Sequence, residues 1–186
     1  HFPGHGDTSV DSHIDLPVVS HDLGRLRSLE LKPFAEAIKN GADAVMVAHI
    51  LMSKLDTKAP ASFSPAVITD LLRNEMGYKG VVITDDLTMG AIVKNGDIGQ
   101  VAVKAIKAGA DVLLVGHGFD AETKVFDAVK NAVGSGTLEE ALIDSSVYRI
   151  LKLKEKYGIT DVKKTSVDLE AINAELKTAL RGLREH

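Results

Sequence analysis

Three short apolar runs recur along the chain at the spacing of a strand-plus-helix unit. They read AVMVAHI, GVVITDD and DVLLVGHG and occupy residues 44–50, 80–86 and 111–118. The first valine of each run lies 36 and then 31 residues after the previous one. None of the runs alternates with polar residues, as expected of parallel strands covered on both faces. The pattern predicts an α/β fold with a parallel sheet.

Helical patterns separate and follow these runs. Residues 29–41 end on Gly41, and residues 64–77 begin with Ser64 as N-cap before Pro65. Three more helices are predicted: residues 97–109, starting at Asp97 and ending on Gly109, then 121–136 and 138–158. We therefore expect an α/β domain over residues 1–158. Residues 159–186 are more polar and are expected to form a linker or docking helix, helical near residues 169–183.

The composition excludes several classes of protein. Of the 186 residues, 45% are apolar, enough for one buried core. The net charge is −4 and Lys and Arg are scattered, so no nucleic-acid interface is expected. The absence of Cys excludes disulfides and thiolate catalysis but does not distinguish cytoplasm from cell envelope. The longest uncharged apolar stretch, residues 44–53, is well short of the roughly 20 residues of a membrane span, so none is expected.

The segment HFPGHGDTSVDSH, residues 1–13, has the composition of a catalytic loop that leaves the end of a strand. It contains three His, two Asp, two Gly and a Pro. We expect a strand to precede His1, so that the chain supplies three strands and the end of a fourth. That is about half of a (β/α)₈ TIM barrel, whose usual size is about 250 residues.

Polar residues follow each predicted strand. They are Pro3-Gly4-His5, His49, Asp85-Asp86 and Gly116-His117. Barrel active sites lie at this carboxyl end of the strands. A doubly wound sheet also binds ligands there, so this placement alone is compatible with both folds.

Asp85 and Asp86 end the most β-rich run. A carboxylate at this position can act as nucleophile, general base or metal ligand, although one Asp can equally cap the following helix. Side chains alternate along a strand. We therefore expect one carboxylate to face the barrel mouth and the other to bond the adjoining loop.

Asp11 and His13 form a second candidate pair. An Asp that bonds a His fixes its tautomer and raises its basicity, which suits a general acid–base near neutral pH. In a loop such a pair is more often structural. With Asp85 as the complementary carboxylate, however, the set meets the minimum for retaining glycoside hydrolysis, namely a nucleophile and a proton-transferring group.

Five histidines are candidate metal ligands, but they do not form a recognised motif. There is no HExxH sequence, and His1, His5 and His13 share one irregular loop, with His49 and His117 elsewhere. We predict neither a metal nor an organic cofactor. The GHG sequence at residues 116–118 could bind phosphate after a late strand, but it lacks the P-loop lysine pattern.

With these residues in view, the chain resembles glycoside hydrolase family 3, in its β-N-acetylglucosaminidase (NagZ-type) branch. The resemblance covers about residues 1–158. It is carried by HFPGHGDTSVDSHIDLP at residues 1–17, and supported by residues 28–50, 63–92 and the GADVLLV run. It implies that the chain is the second, C-terminal half of the catalytic barrel, its last four βα units.

The resemblance also implies roles for individual residues. Asp85 would be the nucleophile and Asp86 local structure. His13 would be the proton donor and acceptor, oriented by Asp11, and His1 would bind the sugar. The lysine that precedes this His in the family, and other sugar-binding residues, would lie in the earlier half of the barrel.

The implied activity is retaining hydrolysis of terminal β-linked GlcNAc from bacterial peptidoglycan fragments, through a covalent glycosyl-enzyme. The implied partners are a GlcNAc-containing substrate and either the missing half of the barrel or a second copy of the chain. Three alternatives stay open at this point: a family 3 β-glucosidase, a GlcNAc phosphorylase and an inactive half-barrel.

Overall fold

Four parallel chain segments adjoin in chain order in the computed structural model, which describes residues 1–8, 11–12, 15–94, 96–162 and 168–182. The strands are β1 Val18–Val19, β2 Ala44–Val47, β3 Leu51–Met52 and β4 Val81–Thr84. Phe2 bridges Val47 of β2, β2 pairs in parallel with β4, and Ile83 of β4 bridges Val112. The order therefore runs Phe2, β2, β4, Val112 without reversal. Sequential order is that of a barrel, whereas a doubly wound sheet reverses at its switch point.

The predicted strand over residues 111–118 is wrong beyond its first residues. Val112 makes an isolated bridge, in which the Val112 amide donates to the Val82 carbonyl. Beyond it, two amides bond side chains instead of backbone carbonyls, although the Leu114 carbonyl still accepts from the Leu87 amide. The Leu114 amide donates to Thr84 Oγ1, and the Gly116 amide to a carboxylate oxygen of Asp86. The regular ladder ends for that reason.

Helices surround these segments. They are α1 Leu23–Ser28, α2 Leu31–Lys39, a 3₁₀ helix Ala61–Phe63, a π-helix Ala66–Glu75, α3 Gly90–Val93, α4 Ile98–Ala108, α5 Phe119–Gly134, α6 Glu140–Lys156 and α7 Leu169–Gly182. Every predicted helix therefore has a counterpart, although Leu183 at the end of the predicted last helix lies outside the described residues. In the described part of the chain, no helix is both long and apolar enough to cross a membrane.

Local signals mark several helix boundaries. The Asp97 side chain accepts a hydrogen bond from the Gln100 amide at 2.9 Å, at the predicted start of α4. Gly41 ends α2 with φ 81°, a backbone conformation that favours glycine. Ser64 lies at the predicted N-cap position, because its backbone is extended and its carbonyl accepts the first hydrogen bonds of the π-helix. Its hydroxyl donates to Asp56 at 2.7 Å, so the cap is made by the carbonyl and not by the side chain.

The main core lies between the strands and the helices that cover them. Val45, Val47 and Val82 from the strands pack in one buried cluster with apolar side chains of α1, α2 and the π-helix, among them Leu26, Leu31, Ile68, Leu71 and Leu72. β1 pairs with β3 beyond the end of β2. The core thus supports the carboxyl ends of the strands, where the polar residues predicted from the sequence are found.

A buried ionic network ties Asp111, the residue before Val112, to the π-helix and α6. The Asp111 carboxylate has no exposed area and lies 2.7 Å from Arg73 and 3.0 Å from Arg149. It also accepts hydrogen bonds from the Val82 amide and the Ser146 hydroxyl. Four donors thus converge on one carboxylate.

We expect Asp111→Ala to lower the free energy of unfolding by about 3–5 kcal/mol, because both arginines lose their buried partner. Asp43→Ala is the matched control, since it removes a partly exposed carboxylate that pairs with Lys156 and Tyr157 at the surface and should cost far less. Urea denaturation measures both. Equal losses would contradict a dominant role for the buried network.

Candidate active site

Asp85 is placed at the carboxyl end of β4 and held by backbone contacts. Its amide donates to the Val47 carbonyl at 3.0 Å, continuing the ladder to β2. The residue is 7% exposed. Its Oδ1 accepts a hydrogen bond from the Asp86 amide at 2.9 Å, and its Oδ2 lies 3.3 Å from Nε2 of His1. One carboxylate oxygen is therefore fixed by backbone, and the other faces an imidazole.

Asp86 points the other way, as alternation along a strand predicts. Its Oδ1 accepts hydrogen bonds from the Thr88 amide, the Thr88 hydroxyl and the Gly116 amide at 2.7–2.9 Å. Burial alone raises the pKa of Asp86, but these hydrogen bonds and nearby His117 outweigh it and lower that pKa. A Cβ on Gly116 would clash with Asp86 Oδ2, so glycine fits best at this position. Asp86 thus joins the loop that carries Thr88 to the loop that carries Gly116.

His1 lies beside the nucleophile candidate because Phe2 is anchored in the sheet. The Phe2 amide donates to the Met46 carbonyl, and the Ala48 amide donates to the Phe2 carbonyl. The Phe2 ring is fully buried and packs edge-on against Phe34. The side chain of His1 keeps 50% of its area exposed, so it is accessible to a ligand that approaches Asp85.

His5 braces the loop that carries Asp11. The Thr8 hydroxyl donates to the His5 carbonyl, so Nδ1 of His5 donates to that hydroxyl and Nε2 accepts from Ser12 Oγ at 3.1 Å. The buried Ser12 carbonyl accepts from the Ala91 amide of α3. Asp11 is exposed. His13, the predicted acid–base, lies outside the described residues.

His49 is fully buried between β2 and β3. Its Nε2 lies 3.0 Å from the Asp86 carbonyl oxygen, and its Nδ1 lies 2.6 Å from the Ser62 hydroxyl. A carbonyl can only accept, so Nε2 carries the proton and Nδ1 accepts from Ser62 in the neutral ring. Burial lowers the pKa of His49, against the raising effects of the Asp86 carbonyl and of the Asp85 and Asp86 charges.

This lowered pKa predicts a pH dependence of stability. Below about pH 6.5 the unfolded chain protonates this histidine, whereas the folded state, with its lowered pKa, takes up that proton only at a lower pH. The unfolded state then binds more protons, so the free energy of unfolding falls as the pH drops. Urea denaturation at pH 5.5 and 7.5 should show a smaller pH-dependent change in His49→Gln than in the unsubstituted protein. An identical change in both would contradict a neutral buried His49.

The structure brings together some of the candidate residues. His1 and Asp85 are in direct contact, and Ser12 contacts α3, the helix that follows Asp85 and Asp86. Across the described ranges, no group of three or more His, Asp or Glu side chains could hold a metal ion. Sequence reasoning missed the hydrogen-bonded pair of His49 and Ser62. His49 figured there only as a candidate metal ligand, and nothing in the sequence singles out Ser62.

Fold and site together define the class. Parallel segments in barrel order, with a buried carboxylate facing a histidine at their carboxyl ends, describe part of an α/β-barrel domain with a polar site at its mouth. Residues 1–153 match the family model described as the glycosyl hydrolase family 3 N-terminal domain. The chain belongs to glycoside hydrolase family 3.

Individual relatives agree with this assignment. The chain is 37% identical over 174 residues to β-hexosaminidase A of Pseudoalteromonas piscicida, covering 84% of this chain and 29% of the relative. A family 3 β-N-acetylglucosaminidase from Paenibacillus sp. str. FPU-7 superposes with a TM-score of 0.87 at 48% identity, covering 91% of this chain and 32% of that one. A fungal multi-domain β-N-acetylglucosaminidase of the family superposes with a TM-score of 0.90 at 34% identity, covering 97% and 22%.

The chain thus spans about a third or less of each of these relatives. It is an α/β fragment that matches part of the family's barrel domain, homologous to bacterial β-hexosaminidases. The relatives carry further protein beyond the matched region. Their complete activity is a property of those longer chains.

Proposed function

We propose that this chain carries the nucleophile of a retaining β-N-acetylglucosaminidase that removes terminal β-linked GlcNAc. The observation that supports this best is the Asp85 carboxylate at the end of β4, with Oδ1 held by the Asp86 amide and Oδ2 3.3 Å from His1. A carboxylate fixed in this way needs little reorganisation to attack. Relatives of this chain are β-hexosaminidases.

The reaction has two steps. Asp85 attacks the anomeric carbon, the bond to the leaving oxygen breaks, and that oxygen takes a proton from His13. Water then attacks the anomeric carbon of the glycosyl-enzyme as His13 removes its proton, and the ester bond to Asp85 breaks, so that the carboxylate is restored and the sugar leaves with its β configuration. Asp11 orients His13, and His1 binds the sugar. The roles of His13, Asp11 and His1 come from the family resemblance.

The substrate of this proposal is a peptidoglycan fragment in which GlcNAc is β-linked to (anhydro)MurNAc. The chain supplies the second half of the barrel, with its last four βα units in residues 1–158 and a linker or docking helix in residues 159–186. The remaining wall of the sugar site comes from the rest of the barrel or from a second copy of the chain. Large apolar side chains that stay exposed on α5 and α6, such as Phe119, Phe126 and Leu151, are consistent with such a partner.

The test is an assay of the complete product of the reading frame, with this chain alone in parallel. The substrates are p-nitrophenyl β-GlcNAc and p-nitrophenyl β-glucoside, each with and without phosphate. We expect GlcNAc release with β configuration by proton NMR, and no requirement for phosphate. A preference for the glucoside, formation of a sugar phosphate, or release of the α anomer would overturn the proposal.

A further inference from the structure

His49 is a buried titratable side chain that contacts Asp86, the neighbour of Asp85, and the reaction above has no use for it. It lies between β2 and β3, where the chain changes neighbours from β4 to β1. It has no exposed area, and both of its ring nitrogens have partners. A polar ring in the core costs stability unless those bonds are made. Its placement therefore needs an explanation beyond packing.

We propose that His49 is a positioning residue for the Asp85 nucleophile, acting through the backbone of Asp86. Its Nε2 donates to the Asp86 carbonyl at 3.0 Å, and the Asp86 amide donates to Asp85 Oδ1 at 2.9 Å. The Asp86 carboxylate is held from the other side by Thr88 and Gly116. With carbonyl and side chain both fixed, the Asp86 amide stays aimed at Asp85.

Ser62 supports the tautomer of His49 that the Asp86 carbonyl requires. That carbonyl can only accept, so the proton lies on Nε2, and the Ser62 hydroxyl donates to the Nδ1 lone pair that remains. The opposite tautomer would direct a nitrogen lone pair at that carbonyl oxygen. The Ala61 amide donates to the Ile50 carbonyl and holds the 3₁₀ helix that bears Ser62 beside His49.

Asp56 stabilises the loop before this helix. Its carboxylate accepts hydrogen bonds from the Lys58 amide, the Ala59 amide and the Ser64 hydroxyl at 2.7–3.1 Å. The path to the nucleophile begins at Ser62, which bonds His49, and His49 bonds the Asp86 carbonyl. It then follows the Asp86 backbone to its amide, which donates to Asp85.

The inference rests on the proposed function, because it requires Asp85 to be the nucleophile. A displacement of about 1 Å at a reacting group can cost roughly 100-fold in rate. Loss of the His49 bond leaves the Asp86 carbonyl with the Met89 amide as its other described donor, which loosens the Asp86 backbone without removing any group that touches the sugar. The expected signature is a fall in kcat and in the rate of covalent trapping, with KM close to its original value.

Three variants test this in the complete product of the reading frame: His49→Phe, His49→Gln and Ser62→Ala. Phe keeps most of the volume and loses both hydrogen bonds, whereas Gln keeps a donor near the Nε2 position. We expect His49→Phe to slow trapping by a 5-fluoro glycosyl fluoride of GlcNAc about 10–100-fold. Gln should restore part of the rate, and Ser62→Ala should fall between Gln and the unsubstituted protein. Circular dichroism confirms that each variant is folded at the assay temperature.

Each outcome has a distinct meaning. If the unsubstituted protein is trapped at Asp85 and His49→Phe is trapped equally fast, the positioning role is wrong. If the unsubstituted protein is not trapped at Asp85, the proposed function itself fails. Long-range ¹H–¹⁵N NMR of His49 in the unsubstituted protein gives a check that does not depend on folding of the variants. A proton on Nε2 supports the proposal, and a proton on Nδ1 overturns it.

Discussion

Asp85→Ala is expected to lower kcat on p-nitrophenyl β-GlcNAc by a factor on the order of 10⁴ or more, because the covalent step loses its nucleophile. Among the described residues, the Asp85 side chain accepts a hydrogen bond from the Asp86 amide and lies beside His1. Neither contact belongs to the apolar core, so we expect the variant to fold. Initial rates in the complete product of the reading frame measure the loss, and thermal unfolding confirms that the variant is folded.

Asp86→Asn is the matched control for this prediction. It changes the adjacent carboxylate, which bonds Thr88 and Gly116 and faces away from His1. We expect a loss of roughly 10-fold, through the loops that Asp86 joins. A larger loss in Asp86→Asn than in Asp85→Ala would mean that Asp86 is the nucleophile and Asp85 the loop contact.

Added azide should restore turnover of Asp85→Ala and yield an α-glycosyl azide, because azide attacks from the vacated face.

His13→Ala is expected to slow the enzyme in proportion to how poor the leaving group is. A general acid contributes roughly 10²–10⁴-fold, but an activated dinitrophenolate leaves without a proton. Substrates with alkyl leaving groups should therefore lose the most activity. The measurement is kcat/KM for a series of aryl and alkyl β-GlcNAc glycosides, plotted against the pKa of the leaving group.

His5→Ala is the control within the same loop. His5 bonds Thr8 and Ser12 and has no proton-transfer role in the proposal. It should reduce kcat/KM by a similar factor for every leaving group, because it disturbs the loop as a whole. A flat dependence for His13→Ala as well would assign His13 to binding and contradict its role as acid–base.

Much of the fold was predictable because its signals are local. The runs at residues 44–50 and 80–86 contain β2 and β4, and Asp97 caps α4 through a hydrogen bond three residues along the chain. Ser64 occupies the predicted N-cap position, but its hydroxyl donates to Asp56, a contact made by a loop that no local pattern indicates. The strand predicted after residue 112 failed because Thr84 and Asp86 side chains bind the amides of Leu114 and Gly116.

The site also combines features that local sequence predicts with features that depend on long-range contacts. The divergence of Asp85 and Asp86 follows from strand alternation, a property of two adjacent residues. His1 and Asp85 are 84 positions apart, and their contact needs the Phe2 segment to bridge β2 and β2 to pair with β4. The family phrase indicated only that His1 binds the sugar. The path through Ser62 and His49 depends on the Ala61–Ile50 hydrogen bond, which no pattern in the sequence indicates.

The position of the covalent label tests the central claim most directly. The complete product of the reading frame is treated with the 5-fluoro glycosyl fluoride of GlcNAc and digested, and the labelled peptide is sequenced by mass spectrometry. We predict one sugar ester on Asp85, within the sequence GVVITDDLTMG of residues 80–90. A label on Asp86 or elsewhere, or turnover with no covalent adduct, would contradict Asp85 as the nucleophile.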